Sequence, residues 1–424
     1  MTVKRKKLLV IALAAVMMLC LLPAVALATG ENAAGNAGQF LDMPDDWSAV
    51  ALENAVANGL LNGTHGKILP NSPLTRAEMA AIITRAFGAT TMGDLSPYAD
   101  VKATDWYFDS IAKAHGMGIL QGANGKMSPE NTISRQGVFA LLSRALRLQP
   151  ATSCDVDFND LDQLADWARH EVYALVNAGY IQGAHNLLNP QDQITRAQFA
   201  QLLYNIFQQY ISQPGIVTEV AAGNIIVNAP GVTLRDLTVT GDLIIGDGVG
   251  DGEVILDNVQ IEGRLVLRGG GENSIIIRGN SSVGQVIVSR VDGKISVKVE
   301  GGADVEVIYI DDGSDDVHIE GQVGSLRIEA GGITVSTEGA TINTLEVAGA
   351  GTQILVGAGS RVDSIDVQGQ ASNTNIEVAG RVGQITTAGS GTAVSGQGRV
   401  DKVEVKAGAD NTQVETAKTQ IKVE

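Results

Sequence analysis

Residues 74–83 read Leu74-Thr75-Arg76-Ala77-Glu78-Met79-Ala80-Ala81-Ile82-Ile83. A hydroxyl followed three residues later by a carboxylate, just ahead of an apolar run, predicts a helix N-terminus. The Thr75 side chain takes one free N–H, and the Glu78 side chain returns to the cap. The phrase recurs as Thr195-Arg196-Ala197-Gln198. It recurs again as Ser134-Arg135-Gln136-Gly137, which keeps the cap but lacks the returning group. Twenty-nine residues before the three arginines stand Trp47, Trp106 and Trp167. Twelve after each Trp is Gly59, Gly118 or Gly179, and sixteen after is Gly63, Gly122 or Gly183, each preceded by an amide. Twenty-three after is Pro70, Pro129 or Pro190. Phe40-x-Asp42, Tyr98-x-Asp100 and Phe158-x-Asp160 open the units. Offsets repeated without a gap define an internal repeat. Within a unit, Val50, Ala51, Ala55 and Val56 have helical spacing, and Gly59 closes that helix as a C-cap. A loop over 60–73 then leads to the second helix.

These motifs resemble three tandem S-layer homology domains, over residues 40–90, 95–150 and 155–212. The resemblance implies a pseudo-threefold helical bundle. It also implies non-covalent binding to a peptidoglycan-linked secondary cell-wall polysaccharide, often through a pyruvylated amino sugar held between repeats. The ligand-binding candidates are Asp42, Trp47, Gly63 and Arg76; Asp100, Trp106, Gly122 and Arg135; and Asp160, Trp167, Gly183 and Arg196. Each arginine lies in a first helical turn, where a cation opposes the helix dipole at a cost of roughly 0.3–1 kcal/mol. Three such placements call for a compensating anion. A carboxylate on a sugar fits a two-pronged guanidinium grip, with free N–H groups of the helix end adding to it. The alternative is a structural ion pair with Asp42, Asp100 and Asp160. Tryptophan offers a flat face to a sugar ring or serves as a core anchor. The glycines admit a close backbone approach to a ligand.

The second half has a different composition. Of the 17 aromatic residues, only Tyr309 lies beyond residue 215, whereas 34 of the 50 glycines do. Ser212-Gln213-Pro214-Gly215 reads as the linker. From Ile225 onward, short β runs alternate apolar and polar residues. A phrase of about 20 residues begins at Val283, Ala303, Val323, Ile342, Val362, Val382 and Val400. Two strands per period stacking an aliphatic core describe a parallel β-solenoid over 216–424. Ten coils at about 4.8 Å give a rod near 50 Å. The fold class is therefore multidomain α and β: a helical pseudo-trimer followed by a parallel β-helix.

Residues 1–28 read as a secretion signal, with a Lys4–Lys7 basic start, an apolar Leu8–Leu22 core and an Ala26-Leu27-Ala28 cleavage site. The charge of −17 becomes −21 when four basic residues leave with it. So acidic a chain has no general basic field for nucleic acid. Cys154 then stands alone, which excludes an internal disulfide and a cysteine zinc cluster. The reading is a secreted, non-enzymatic protein of the cell wall or S-layer, with no membrane contact after cleavage and with self-association as a further partner mode. No cofactor is required. Asp247…Asp251 and Asp311…Asp316 are the candidates for Ca²⁺. Two alternatives stand beside this reading. One is a wall-tethered lyase or hydrolase of β-helix type. The other is a self-assembling filament, because Thr240-Gly-Asp-Leu-Ile-Ile-Gly-Asp247 resembles polymer-forming bactofilin-type solenoids.

Overall fold

The computed structural model describes residues 40–272, 274–290, 293–311, 316–416 and 420–423. The signal read at 1–28 lies outside them, as do Asp312 and Asp315 of the second Ca²⁺ candidate. Six α-helices come first: α1 (Ala49–Ala57), α2 (Arg76–Ala86), α3 (Phe108–Gly116), α4 (Arg135–Ala145), α5 (Asp166–Asn177) and α6 (Arg196–Ile206). The caps form as the sequence directs. Thr75 Oγ1 accepts from Glu78 N at 3.1 Å, and Glu78 Oε2 accepts from Thr75 N at 2.9 Å. Thr195 and Gln198 repeat the box, while Ser134 takes only Gly137 N at 3.3 Å. Gly59, Gly118 and Gly179 end the first helices at φ 68°, 74° and 78°. The buried stripe of α1 is Ala51, Leu52 and Ala55; Val50 points outward instead.

A closed triangle of backbone hydrogen bonds marks the pseudo-threefold axis. Leu74 N donates to Ile194 O (2.9 Å), Ile194 N to Ile133 O (3.1 Å), and Ile133 N to Leu74 O (3.0 Å). Around it, each second helix packs against the first helix of the next repeat: α2 on α3, α4 on α5, α6 on α1. The repeats are therefore interlocked rather than strung in a line.

The rest is a parallel β-solenoid running from Phe207 to Val423, in which each strand pairs with its counterpart one coil on. Ile225, Leu243, Leu265, Val286, Ile308, Leu326, Leu345, Ile365 and Ile385 stack inward in register. Later coils hold two strands each, such as Gln353–Val356 and Arg361–Val367. Gly321 turns a corner at φ 87°, where a Cβ would lie 1.8 Å from Val299 O. Two sequence expectations change. The coil partner of Val283 is Val305, not Ala303, because an extra pair of residues is taken up in the turn before Asp304. The linker at 212–215 is also part of the rod. Phe207–Ile211 already pairs with Asn224–Val227, and Gly215–Val217 with Val232–Leu234. The chain passes straight from α6 into the first strand because Phe207 belongs to the helical core, edge-on to Phe87 at 5.6 Å.

The outward row next to this junction departs from alternation. It runs Ile226, Ile244, Val266, Ile287, Tyr309, and only then Arg327, Glu346 and Asp366. Ile226, Ile244 and Val266 are fully buried and join the core of the helical half. Carbonyls at the helix C-termini are met by donors from the rod. Asn228 Nδ2 donates to Ala86 O (2.7 Å), Arg264 Nη1 to Arg147 O (2.9 Å), and Arg268 Nη1 to Ala145 O (3.5 Å). Cations complement the negative ends of these helices, and Asp242 and Asp247 neutralise the two arginines.

Farther along the rod, Glu404 accepts from Lys402 and Lys406, each at 2.7 Å, which holds its carboxyl down to about 2. A carboxyl depressed in the folded state stabilises above its unfolded pKa. That contribution is lost as pH falls from about 4.5 to about 2. Glu404→Gln should therefore melt below the parent at pH 6, with the gap closing near pH 2, as followed by circular dichroism. An undiminished gap at pH 2 would refute this.

Candidate functional site

The candidate residues lie around the ring of repeats, and the structure divides their labour. Asp42 accepts from Ile68 N (2.7 Å) and Leu69 N (3.0 Å). Asp100 does the same for Met127 and Ser128 (2.9 and 2.8 Å), and Asp160 for Leu188 and Asn189 (2.9 and 2.7 Å). Leu69, Ser128 and Asn189 adopt positive φ (55°, 51° and 49°), which turns two successive N–H groups onto one carboxylate. The arginine of the preceding repeat takes the carbonyl of the same residue. Arg76 Nε donates to Met127 O (2.8 Å), Arg135 Nε to Leu188 O (2.7 Å), and Arg196 Nε to Ile68 O (2.7 Å). Anion and cation thus grip opposite sides of one loop residue. Among the described residues, no ion pair joins these arginines directly to Asp42, Asp100 or Asp160. Burial lowers the pKa of each guanidinium, opposed by Asp100 for Arg76, by Asp192 and Asp160 for Arg135, and by Glu78 and Asp42 for Arg196. For Asp100, burial raises the pKa, but the N–H groups of Met127 and Ser128 outweigh it and the net shift is downward.

A further expectation is corrected. The helix-end N–H groups are not free for a ligand. Arg76 N and Ala77 N donate to Asn131 O and Pro129 O, Arg135 N and Gln136 N to Asp192 O and Pro190 O, and Arg196 N and Ala197 N to Ser72 O and Pro70 O. Interlocking of the repeats consumes them. The side of Gly63, Gly122 and Gly183 on which a Cβ would stand faces protein, although Gly183 also borders the groove described below. A Cβ there would stand 1.9 Å from the Phe40 ring, 2.3 Å from Tyr98 and 2.5 Å from Phe158. They make room for the aromatic that opens each unit.

The tryptophans are not core anchors: Trp47, Trp106 and Trp167 are 60%, 67% and 56% exposed. Trp47 of the first repeat overhangs a groove of about 520 Å³ whose other walls come from the second and third repeats. Arg135, Phe139, Tyr180, Gln182, Gly183, Gln198, Gln201 and Asn205 line it. Arg135 lies over the Phe139 ring at 5.2 Å. Asn224 of the rod donates to the Tyr180 hydroxyl at 2.8 Å and so braces the groove from below. Arg135 and Gly183 therefore meet at one site, yet they come from different repeats and are joined by the first repeat's Trp47. No motif marks Gln201 and Asn205, and Gln198 is marked only as a capping residue. A signal does exist, because Gln198 occupies the offset held by Glu78 and Gly137 in the other units.

In the rod, Asp247 pairs with Arg268 at 2.8 Å and Asp251 with Arg290 at 2.6 Å. Among the described residues, no cluster of three or more His, Cys, Asp or Glu is placed for a metal. His318 Nδ1 lies 2.8 Å from Ser336 Oγ, and its Nε2 lies 3.4 Å from Glu320. Ser336 lies 18 residues from His318, so no local spacing announces the trio. Among the described residues, no helix is long and apolar enough to cross a membrane.

The chain is thus a pseudo-threefold helical clasp fused to a parallel rod, with three exposed tryptophans, of which Trp47 overhangs a groove between repeats. The S-layer homology domain family model matches residues 39–80, 97–136 and 157–200, so the helical half consists of three S-layer homology domains. Relatives match through this part. An amylopullulanase of Thermoanaerobacterium thermosulfurigenes is 28% identical over 176 residues, covering 40% of this chain and 10% of the relative. Exoglucanase XynX of Acetivibrio thermocellus is 27% identical over 176 residues (40% and 16%). The S-layer protein sap of Bacillus anthracis is 28% identical over 180 residues (40% and 21%). The chain thus covers about a tenth to a fifth of these relatives' lengths. The S-layer homology domains mark it as a secreted cell-surface protein.

Proposed function

We propose that the helical half anchors this protein non-covalently to an anionic, pyruvylated secondary polysaccharide of the cell wall, and that the rod is a non-enzymatic structural or interaction module. The observation that carries this reading is an exposed tryptophan, Trp47, and a guanidinium, Arg135, lining one groove together with four carboxamides, Gln182, Gln198, Gln201 and Asn205. Indole faces suit sugar rings, amides suit hydroxyls, and guanidinium suits a carboxylate. Unlike proteins, two glucan-degrading enzymes and an S-layer protein by name, match this chain through the helical part. A segment shared among different activities suits an anchor better than a catalyst. With a net charge of −17 there is no long-range attraction to an anionic polymer, so capture is local. Co-sedimentation of the protein with purified cell walls tests the reading. Retention on walls bearing the polymer, with release after the polymer is stripped by hydrofluoric acid, is expected. Protein left in the supernatant of intact walls would end it.

The enzymatic alternative has one observation in its favour, the Ser336–His318–Glu320 trio. It lies on the outer side of the rod, where the backbone N–H groups of its strands serve the parallel ladder and supply no oxyanion hole. Release of sugar or acyl groups from wall polymers by the protein, abolished by Ser336→Ala, would establish it.

A further inference from the structure

We infer that the three inter-repeat grooves are unequal, and that the groove beneath Trp47 is the principal site, taking a singly charged acidic saccharide. This rests on the wall-anchor reading above and narrows it to one site. The difference lies in what each arginine has left to offer.

Arg196 is fully engaged. Its Nε holds Ile68 O, its Nη2 donates to Asn62 O at 2.7 Å, and its Nη1 lies 3.8 Å from Glu78. An anion entering that groove must displace a carboxylate already present. Arg76 spends Nε on Met127 O and Nη2 on Gln121 O at 3.0 Å. Among the described residues, Arg135 spends only Nε, on Leu188 O, and stacks one guanidinium face on Phe139. No described residue takes either of its terminal nitrogens, which leaves both for a ligand in the cavity it lines. A carboxylate can be held there by two parallel N–H donors.

The wall of the groove agrees. The offset that holds Glu78 in the first repeat holds Gln198 here, and Gln182, Gln201 and Asn205 add further neutral amides. In the other two units the Asn205 offset is Arg85, which donates to Leu60 O, and Arg144, which pairs with Glu171. A single cation among carboxamides selects one negative charge plus hydroxyl or acetamido groups. The volume of about 520 Å³ lies within the usual range for small-ligand sites, roughly 300–1,000 Å³.

The test uses the full-length protein, purified walls with and without polymer, and four variants. Trp47→Ala removes the sugar platform from an exposed position. Gln198→Glu keeps the capping box, as Glu78 does in its own repeat, and sets a carboxylate opposite Arg135. Each should weaken wall binding at least tenfold with an unchanged melting temperature, while Trp106→Ala and Trp167→Ala should weaken it less than threefold. Equal losses from the three tryptophan variants, or a loss confined to Trp106→Ala or Trp167→Ala, would overturn the inequality and leave the anchor reading standing. Failure of the unaltered protein to bind polymer-bearing walls would overturn the anchor reading itself.

Discussion

Ile244→Asp should split one cooperative particle into two loosely joined ones. Ile244 points outward from the third coil, yet it is completely buried, because it is shared with the core of the helical half. Its neighbours in the row, Ile226 and Val266, are equally covered. A carboxylate there would be desolvated without a partner, at a cost of several kcal/mol. The rod's own inward stack of Leu243 and Ile245 is left intact, so the solenoid should survive and the seam should fail. Two calorimetric transitions in place of one, and a broadened distance distribution in small-angle scattering, are expected. Ile244→Ala should keep the seam and cost about 2–5 kcal/mol, as for other large-to-small changes in a core. A single transition with parental scattering from the aspartate variant would show that the halves are not held through this row.

Asp160→Ala should be the most damaging change among the candidate ligand residues. Asp160 is 2% exposed, and its two oxygens accept from Leu188 N and Asn189 N. Alanine leaves two donors unsatisfied, Leu188 N buried and Asn189 N half-buried, at roughly 1–3 kcal/mol each. It also removes one of the anions that favour the charged form of buried Arg135. A loss of about 3–5 kcal/mol in denaturant unfolding is expected by this count. Asp160→Asn retains an acceptor and should lose less. Asp42→Ala, at a less buried copy of the same position, should fall between them. An Asp160→Ala loss below about 1 kcal/mol would contradict the assignment of this carboxylate to the loop.

Both predictions concern residues whose partners lie far off in the chain, and this marks the limit of what could be read from the sequence. Capping hydroxyls, closing glycines and the fixed offsets of Trp and Arg act within one unit, so the helices and the three repeats were legible. The clasp was not, because Arg76 meets Met127 and Arg196 meets Ile68 across 51 and 128 residues. The helix-end N–H groups looked available for the same reason, since their acceptors sit in the next repeat. In the rod, alternation gave the inward stack. The break in it at Ile226, Ile244 and Val266 was visible, but its meaning needed the partner surface.

Local periodicity and capping chemistry, which act over a few residues, were enough to establish a threefold-repeated helical half and an aliphatic parallel rod. Closure of the repeats into a ring decided which arginine keeps free nitrogens, and docking of that ring onto the first coils decided where the linker vanishes. Both depend on groups brought together from distant parts of the chain, and only folding supplies that proximity.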